Sequence, residues 1–170
     1  TILRAVTFIR NSNIPIVGIN TGRLGFLATV QKDEINYAIE QLLKQNYKIK
    51  ERSLLSVSTL PKIKSLKLLN FALNEVSVSR KNTASMITIK TLIDDEYLTS
   101  YWSDGLIIST PTGSTGYSLS CGGPVIMPAA SNFVLTPIAP HNLSARPLVI
   151  PDCTEIKLKV SGRENNFLVS

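Results

Sequence analysis

The chain has 170 residues, of which 44% are hydrophobic and 18% charged, and its 18 Lys and Arg against 12 Asp and Glu give a net charge of +6. This composition excludes a disordered chain and suffices for one core, or for one domain with part of another. No apolar run is long enough to span a bilayer, and the two cysteines, in unrelated contexts, fit free thiols in a reducing compartment, so a cytoplasmic protein is expected.

Residues 1–30 have the pattern of the end of an α/β domain. Apolar residues recur at helical spacing over residues 2–10 and predict a helix. The nearly unbroken apolar run "IPIVGIN", residues 14–20, predicts a parallel strand that is buried on both faces. The segment "NTGRLGFL" follows at the carboxyl end of that strand, which is where ligands bind in open α/β sheets.

Residues 31–170 have the pattern of a second, β-rich domain. A helix is predicted from Asp33, which can cap its start, to Asn46, which can end it. From Tyr47 onward the hydrophobic period changes to two, and five runs predict strands: "YKIKERSLLSVS", "LNFALNEVSVS", "SMITIKTLI", "EYLTSYWSDGLIIS" and "EIKLKVSG". The segment "IDDEYL" predicts a hairpin turn. We therefore expect an α/β remnant of an amino-terminal domain up to about residue 30, followed by a β-rich domain.

Most residue patterns that carry chemistry are absent from the sequence. His141 is the only histidine and no C-x-x-C occurs, so no metal ligands are predicted. The P-loop and the G-x-G-x-x-G fingerprint are missing as well. The lysines alternate along predicted strands or lie in turns, without interleaved aromatic residues, so the positive charge is typical of a solvated face and assigns no function.

The remaining candidates are polar residues on or beside predicted strands. Asn74 and Glu75 interrupt an apolar run, and Asp104 precedes the apolar strand "GLIIS". Taken alone, these are turn or strand-end residues. Residues 109–124, however, are nearly all Ser, Thr, Gly or Pro, and their hydroxyls and backbone amides suit phosphate oxygens or a base edge, while carboxylates accept hydrogen bonds from ribose hydroxyls. The combination predicts a site for a polar, sugar-bearing ligand.

Four segments together resemble the NAD kinase (ATP-NAD kinase) family: "GINTGRLGFL", "LNEVSVSR", "SDGLIISTPTGSTGYSLSCGGP" and "LTPIAPHNLSARPLVIPD". The resemblance implies a two-domain fold, with an α/β amino-terminal domain followed by an all-β, β-sandwich-like domain. It also implies ATP-dependent phosphorylation of the adenosine ribose 2′-hydroxyl of NAD, which gives NADP. It also implies a divalent cation, Mg²⁺, ATP as phosphoryl donor, and a homo-oligomer, dimer or tetramer, that binds neither nucleic acid nor membrane.

The same resemblance implies roles for individual residues. Asn74 and Glu75 match a nucleotide-binding pair, Asp104 matches the aspartate that holds the nicotinamide ribose, and Phe26 matches an aromatic residue that lines the cleft. A further group matches the stretch that wraps NAD: Thr115, Gly116, Tyr117, Ser118 and Ser120. Gly116 stands where many members of the family have alanine. Trp102 and Ser85 also depart from the pattern, which leaves any charged contact at those two places without support.

The family's G-G-D-G motif, whose aspartate is the general base, is expected immediately before Thr1, and a final strand is expected after Ser170. No catalytic residue is therefore predicted within residues 1–170. Two other functions stay open at this point. One is a phosphotransferase of the diacylglycerol- or sphingosine-kinase type, and the other is a non-catalytic nucleotide- or nucleic-acid-binding β domain, which salt-dependent binding to an oligonucleotide would favour.

Overall fold

The chain divides into two units, Thr1–Glu51 and Arg52–Ser170. The sequence predicted a domain boundary near residue 30. The first unit of the structure extends to Glu51 instead, and it therefore includes the helix of residues 35–43. The computed structural model describes residues 1–10, 12–22, 27–61, 70–81, 85–163 and 166–170. None of the helices in those ranges is both long and apolar enough to cross a membrane.

In its described residues the first unit contains two α-helices and a pair of very short parallel strands. Helix α1 spans Ile2–Ile9, strands β1 and β2 are Ile19–Asn20 and Val30–Gln31, and helix α2 spans Ile35–Leu43. The predicted buried strand over residues 14–20 is therefore wrong in length. Ile14 and Val17 are more than half exposed, because within the described part of this unit β1 pairs only with the two residues of β2.

Helix α2 begins and ends at other residues than the sequence suggested. A 3₁₀ turn, Lys32–Glu34, precedes it, and the Glu34 carboxylate, rather than Asp33, closes this end by accepting a hydrogen bond from the backbone N–H of Gln31 at 3.0 Å. At the other end Gln45 adopts a left-handed φ of 54°, and the N–H groups of Gln45 and Asn46 donate to the carbonyls of Leu42 and Gln41. This is the Schellman ending, and it stops the helix at Leu43.

The second unit is a β-sandwich, which confirms the predicted fold class. One sheet has five antiparallel strands in the order β10-β9-β8-β5-β12, and the other has three in the order β11-β6-β7. Their bounds are β5 Glu75–Arg80, β6 Ile87–Ile93, β7 Glu96–Ser103, β8 Gly105–Ser109, β9 Asn132–Ile138, β10 Leu148–Pro151, β11 Ile156–Ser161 and β12 Phe167–Val169. A short antiparallel pair, β3 Leu55–Ser56 and β4 Phe71–Ala72, completes the unit.

The core of this unit lies between the two sheets. The three-stranded sheet contributes Ile87, Ile89 and Tyr101, and the five-stranded sheet contributes residues such as Leu106 and Leu135. The predicted hairpin turn is confirmed, since Asp94 and Asp95 join β6 to β7 with φ values of 48° and 67°, which aspartate tolerates better than most residues. Of the predicted strand over residues 47–58, only β3 forms.

Strand β8 is buried along its whole length and positions the candidate site. Its run "GLIIS" was predicted to continue from β7, but the chain changes sheets at Asp104. Leu106 and Ile108 face the core, so Ile107 and Ser109 face the opposite side of the sheet. Helix α3, Tyr117–Ser120, lies over that opposite side.

Candidate functional site

Asn74 and Glu75 lie at the start of β5, beside the carboxyl end of β8. Glu75 is the antiparallel partner of Ser109, the last residue of β8. Beyond Ser109 the backbone N–H of Thr110 donates to the Asn74 carbonyl at 2.8 Å, and the Thr110 hydroxyl donates to the Leu73 carbonyl at 2.5 Å. The sheet register therefore joins the two segments, 74–75 and 109–116, that the sequence had singled out separately.

Two glycines let the loop over residues 110–116 lie directly on this pair. A Cβ at Gly113 would stand 2.0 Å from the Asn74 carbonyl oxygen and 2.4 Å from its carbonyl carbon, which no side chain tolerates. A Cβ at Gly116 would stand 3.0 Å from Glu75 Oε2. The small residues in this loop are thus required by close packing against the backbone of Asn74 and the carboxylate of Glu75.

The hydroxyls of Ser114 in the loop and Ser118 in α3 form hydrogen bonds within the protein. The Ser114 hydroxyl donates to the Pro111 carbonyl at 2.7 Å and accepts from the Ile126 N–H at 2.9 Å. Ser118, predicted as a ligand-binding residue, is fully buried, and its Oγ lies 2.8 Å from Thr136 Oγ1 of β9. Because this buried bond joins α3 to the face of the sheet that α3 covers, Ser118 anchors the helix to the sheet, and we leave it out of the candidate site.

Three polar oxygens at the meeting point of these segments have no hydrogen-bond partner among the described residues. They are Asn74 Oδ1, Glu75 Oε2 and Ser109 Oγ, and each is buried. Burial raises the pKa of the Glu75 carboxyl, and the Tyr117 backbone N–H, which donates to it, lowers that pKa in part. Buried polar groups are nearly always satisfied, so a cluster of three unsatisfied oxygens indicates a place where a ligand or water completes the bonding.

A second polar group lies at the other end of β8. Asp104 Oδ2 forms an ion pair with Arg80 Nη2 at 2.8 Å, and both side chains are about three-quarters buried, 28% and 27% exposed. The Tyr117 ring is 47% exposed. Burial raises the pKa of its hydroxyl, as do a hydrogen bond to Cys121 and the nearby charge of Asp104. Tyr117 therefore connects the two ends of the site.

The other residues that the sequence predicted for the site differ in their exposure to solvent. Thr115 is half-buried and Ser120 is exposed, both next to Gly116 and Tyr117 in the loop and helix. Phe26 lies outside the described residues. The Trp102 ring contacts the His141 ring, 5.0 Å away between centroids, on the strand before Asp104.

The sequence pattern does not mark Ser109, Gly113 or Arg80 as individual site residues. Ser109 and Gly113 were visible only as members of the hydroxyl-rich stretch, and their importance depends on the β5–β8 register. No pattern in the sequence links Arg80 to Asp104. Among the residues that the structure describes, no three His, Cys, Asp or Glu side chains gather into a metal site.

Comparisons with known proteins agree on one family. Residues 73–170 match the family model of the ATP-NAD kinase C-terminal domain, and residues 1–47 match that of the ATP-NAD kinase N-terminal domain. Curated relatives named NAD kinase are 66% identical in Flavobacterium psychrophilum and 51% identical in Cytophaga hutchinsonii, in each case over 100% of this chain and 58% of the relative. The chain thus spans less than two thirds of the length of these relatives.

Solved structures give the same result. The yeast NADH kinase complexed with NADH superposes with a TM-score of 0.85 at 30% identity, over 100% of this chain and 50% of that one. An NAD kinase from Archaeoglobus fulgidus in complex with ATP superposes with a TM-score of 0.79 at 28% identity, over 99% of this chain and 66% of that one.

Proposed function

This chain belongs to the ATP-NAD kinase family, and we propose that the protein containing it transfers the γ-phosphoryl group of ATP to the adenosine ribose 2′-hydroxyl of NAD, giving NADP. Residues 52–170 supply the NAD-binding site in this proposal. The protein is further proposed to act in the cytoplasm as a homo-oligomer, a dimer or tetramer.

The observation that carries the proposal is the cluster of three unsatisfied oxygens. An amide oxygen and a carboxylate oxygen are hydrogen-bond acceptors, and a serine hydroxyl both donates and accepts. Ribose hydroxyls and an adenine amino group supply the donors that such a set lacks. Asn74, Glu75 and Ser109 would therefore hold the adenosine part of NAD, with Thr115, Gly116 and Ser120 around it.

The length of β8 supports an extended ligand. A strand rises about 3.3 Å per residue, so the step from Gly105 to Ser109 covers about 13 Å between the Asp104 end and the Glu75 end. The Tyr117 side chain is half-exposed and offers a face on which a base can stack. We propose that Asp104 contacts the nicotinamide ribose and that Phe26 lines the cleft.

In the reaction, the 2′-oxygen bonds to the γ-phosphorus as the bond from that phosphorus to the ADP oxygen breaks, and the 2′-hydroxyl proton passes to a base. We propose that this base is the aspartate of the family's G-G-D-G motif, outside residues 1–170. The residues of this chain orient the acceptor ribose, which is most of what phosphoryl transfer asks of a protein.

A divalent cation has no ready place among the described side chains, since no three potential ligands gather there. Mg²⁺ commonly binds through substrate phosphates together with one or two carboxylates. We propose that it comes to the active site with the ATP phosphates.

The proposal is tested by incubating the full-length protein with NAD, ATP and Mg²⁺ and measuring NADP with an NADP-specific dehydrogenase. NADP formation that requires both substrates, and that falls sharply in Asn74→Ala while the variant stays folded, is the expected result. A wild-type protein that forms no NADP would overturn the proposal.

A further inference from the structure

The hydroxyl-rich segment has no cation of its own. Residues 103–124 contain no Lys, Arg or His, although both NAD and ATP carry phosphates. Two acids lie in or beside this segment, Asp104 and Glu75, and the cation Arg80 is paired with Asp104. A phosphate seated against the loop would therefore need a cation from another part of the chain.

The fold brings Arg52 to the loop. Its Nη1 lies 3.5 Å from the hydroxyl of Thr112, and Thr112 precedes Gly113, the residue that packs on Asn74. The backbone beside Arg52 is fixed on its carboxyl side, because the Ser53 hydroxyl donates to Asp152 at 2.6 Å and Leu55 is buried in the core. Arg52 is thus held next to the site by contacts that do not depend on its own charge.

The guanidinium of Arg52 has N–H donors that the described residues do not engage. It carries five N–H donors, and the contact with Thr112 engages one of them at the long limit of a hydrogen bond. Within the described ranges no Asp or Glu forms an ion pair with it, although the side chain is half-buried. A partly desolvated guanidinium with N–H donors that the described residues do not engage is suited to bind a phosphate in two-pronged fashion.

We propose that Arg52 binds a phosphate of the nucleotide that lies against residues 110–116. This inference rests on the proposed function. The phosphate belongs either to the pyrophosphate of NAD or to ATP, and the two sources are separated by titrating each nucleotide alone.

The test compares Arg52→Met with Arg146→Met in the full-length protein. Methionine keeps the apolar stem of Arg52 but removes its charge. Arg146 is a suitable control, because its guanidinium donates to the backbone carbonyls of Leu143 and Ala145. Calorimetric titrations with NAD and with ATP measure the dissociation constants, and adenosine, titrated as a competitor of NAD, reports binding without a phosphate. Thermal unfolding checks that each variant is folded.

Arg52→Met is expected to weaken binding of NAD, of ATP or of both about tenfold or more, while adenosine binding changes little. A loss confined to NAD assigns the phosphate to the acceptor, and one confined to ATP assigns it to the donor. Unchanged binding of both nucleotides, or an equal loss for adenosine, would overturn the inference. If Arg52→Met does not fold, Arg52→Lys replaces it, with a smaller loss expected for the nucleotides only. A wild-type protein that binds no NAD would instead refute the proposed function.

Discussion

Glu75 and Ser109 face each other across the antiparallel strands β5 and β8, and each buries a side-chain oxygen that lacks a hydrogen-bond partner among the described residues. Asn74, the neighbour of Glu75, buries a third such oxygen. Each unsatisfied buried polar group costs about 1–3 kcal/mol. Retaining three together is explained by a ligand that completes their bonding.

Two neighbouring loop glycines should differ in their response to alanine. Gly113→Ala would push a Cβ into the backbone of Asn74, which cannot move away, so we expect a loss of about 1–3 kcal/mol in the free energy of unfolding and greatly weakened NAD binding. Gly116→Ala would meet the end of the Glu75 side chain, which can shift by a few tenths of an ångström, so that variant should fold and bind NAD with a smaller loss. Urea unfolding and NAD titration measure both. Equal effects of the two substitutions would show that the loop does not pack as described.

The stability of the protein should depend on pH through Glu75. Burial raises its pKa above the ordinary value of 4.5 in the folded state, so the folded protein holds this proton more tightly than the unfolded chain. The resulting stabilisation is complete below pH 4.5 and is lost as the pH rises through the raised pKa. The Gln side chain of Glu75→Gln cannot titrate. The free energy of unfolding of this variant, minus that of the wild type, should therefore increase as the pH rises from about 4 to about 7.

Urea unfolding at several pH values, without ligand, measures this difference. Glu96→Gln, which removes an exposed carboxyl on β7, sets the baseline for the loss of one negative charge. A difference between Glu75→Gln and wild type that stays constant with pH would contradict the account of Glu75.

Asp104→Asn should weaken NAD binding about tenfold, because a hydrogen bond to a charged group is worth roughly 1.5–3 kcal/mol and the amide keeps the shape of the side chain. Asp95→Asn is the matched control. Asp95 also forms an ion pair, with Lys157, but its side chain is 73% exposed and lies in the β6–β7 turn. NAD titration of both variants decides the matter, and equal, small losses would remove Asp104 from the site.

Ser118 and Ser120 should have opposite phenotypes although only one residue separates them. Ser118→Ala leaves the buried hydroxyl of Thr136 without its partner, so we expect a loss of stability of about 1–3 kcal/mol and nearly unchanged NAD affinity. Ser120 is exposed, and Ser120→Ala should weaken NAD binding with little change in stability. Thermal unfolding and NAD titration test the pair. Loss of NAD affinity in folded Ser118→Ala would restore Ser118 to the binding site.

The period-two pattern predicted most strands of the second unit, because alternation records which side chains face the core. The predictions failed where structure depends on partners far along the chain. The run over residues 47–58 alternates, yet only Leu55–Ser56 finds a partner strand within the described residues, in Phe71–Ala72. The run through Asp104 looked like one strand, although it changes sheets there.

The candidate site was predictable in composition but not in arrangement. Small and hydroxylated residues marked the loop, since only such residues allow close backbone approach. Which hydroxyls face a ligand depends on the register of β8 with β5 and β9, and this is why Ser118 was assigned to the ligand and Ser109 was not. The contact of Arg52 with Thr112 joins residues 60 positions apart and leaves no local signature.

Calorimetric titration of NAD into the full-length wild-type protein and into Asn74→Ala measures whether Asn74, Glu75 and Ser109 hold the adenosine part of NAD, as we propose. Asn74→Ala removes one of the three unsatisfied oxygens and leaves the backbone carbonyl that bonds Thr110 in place. We predict that the wild type binds NAD and that the folded variant binds it at least about tenfold more weakly. Equal affinity of the two proteins for NAD would contradict the claim.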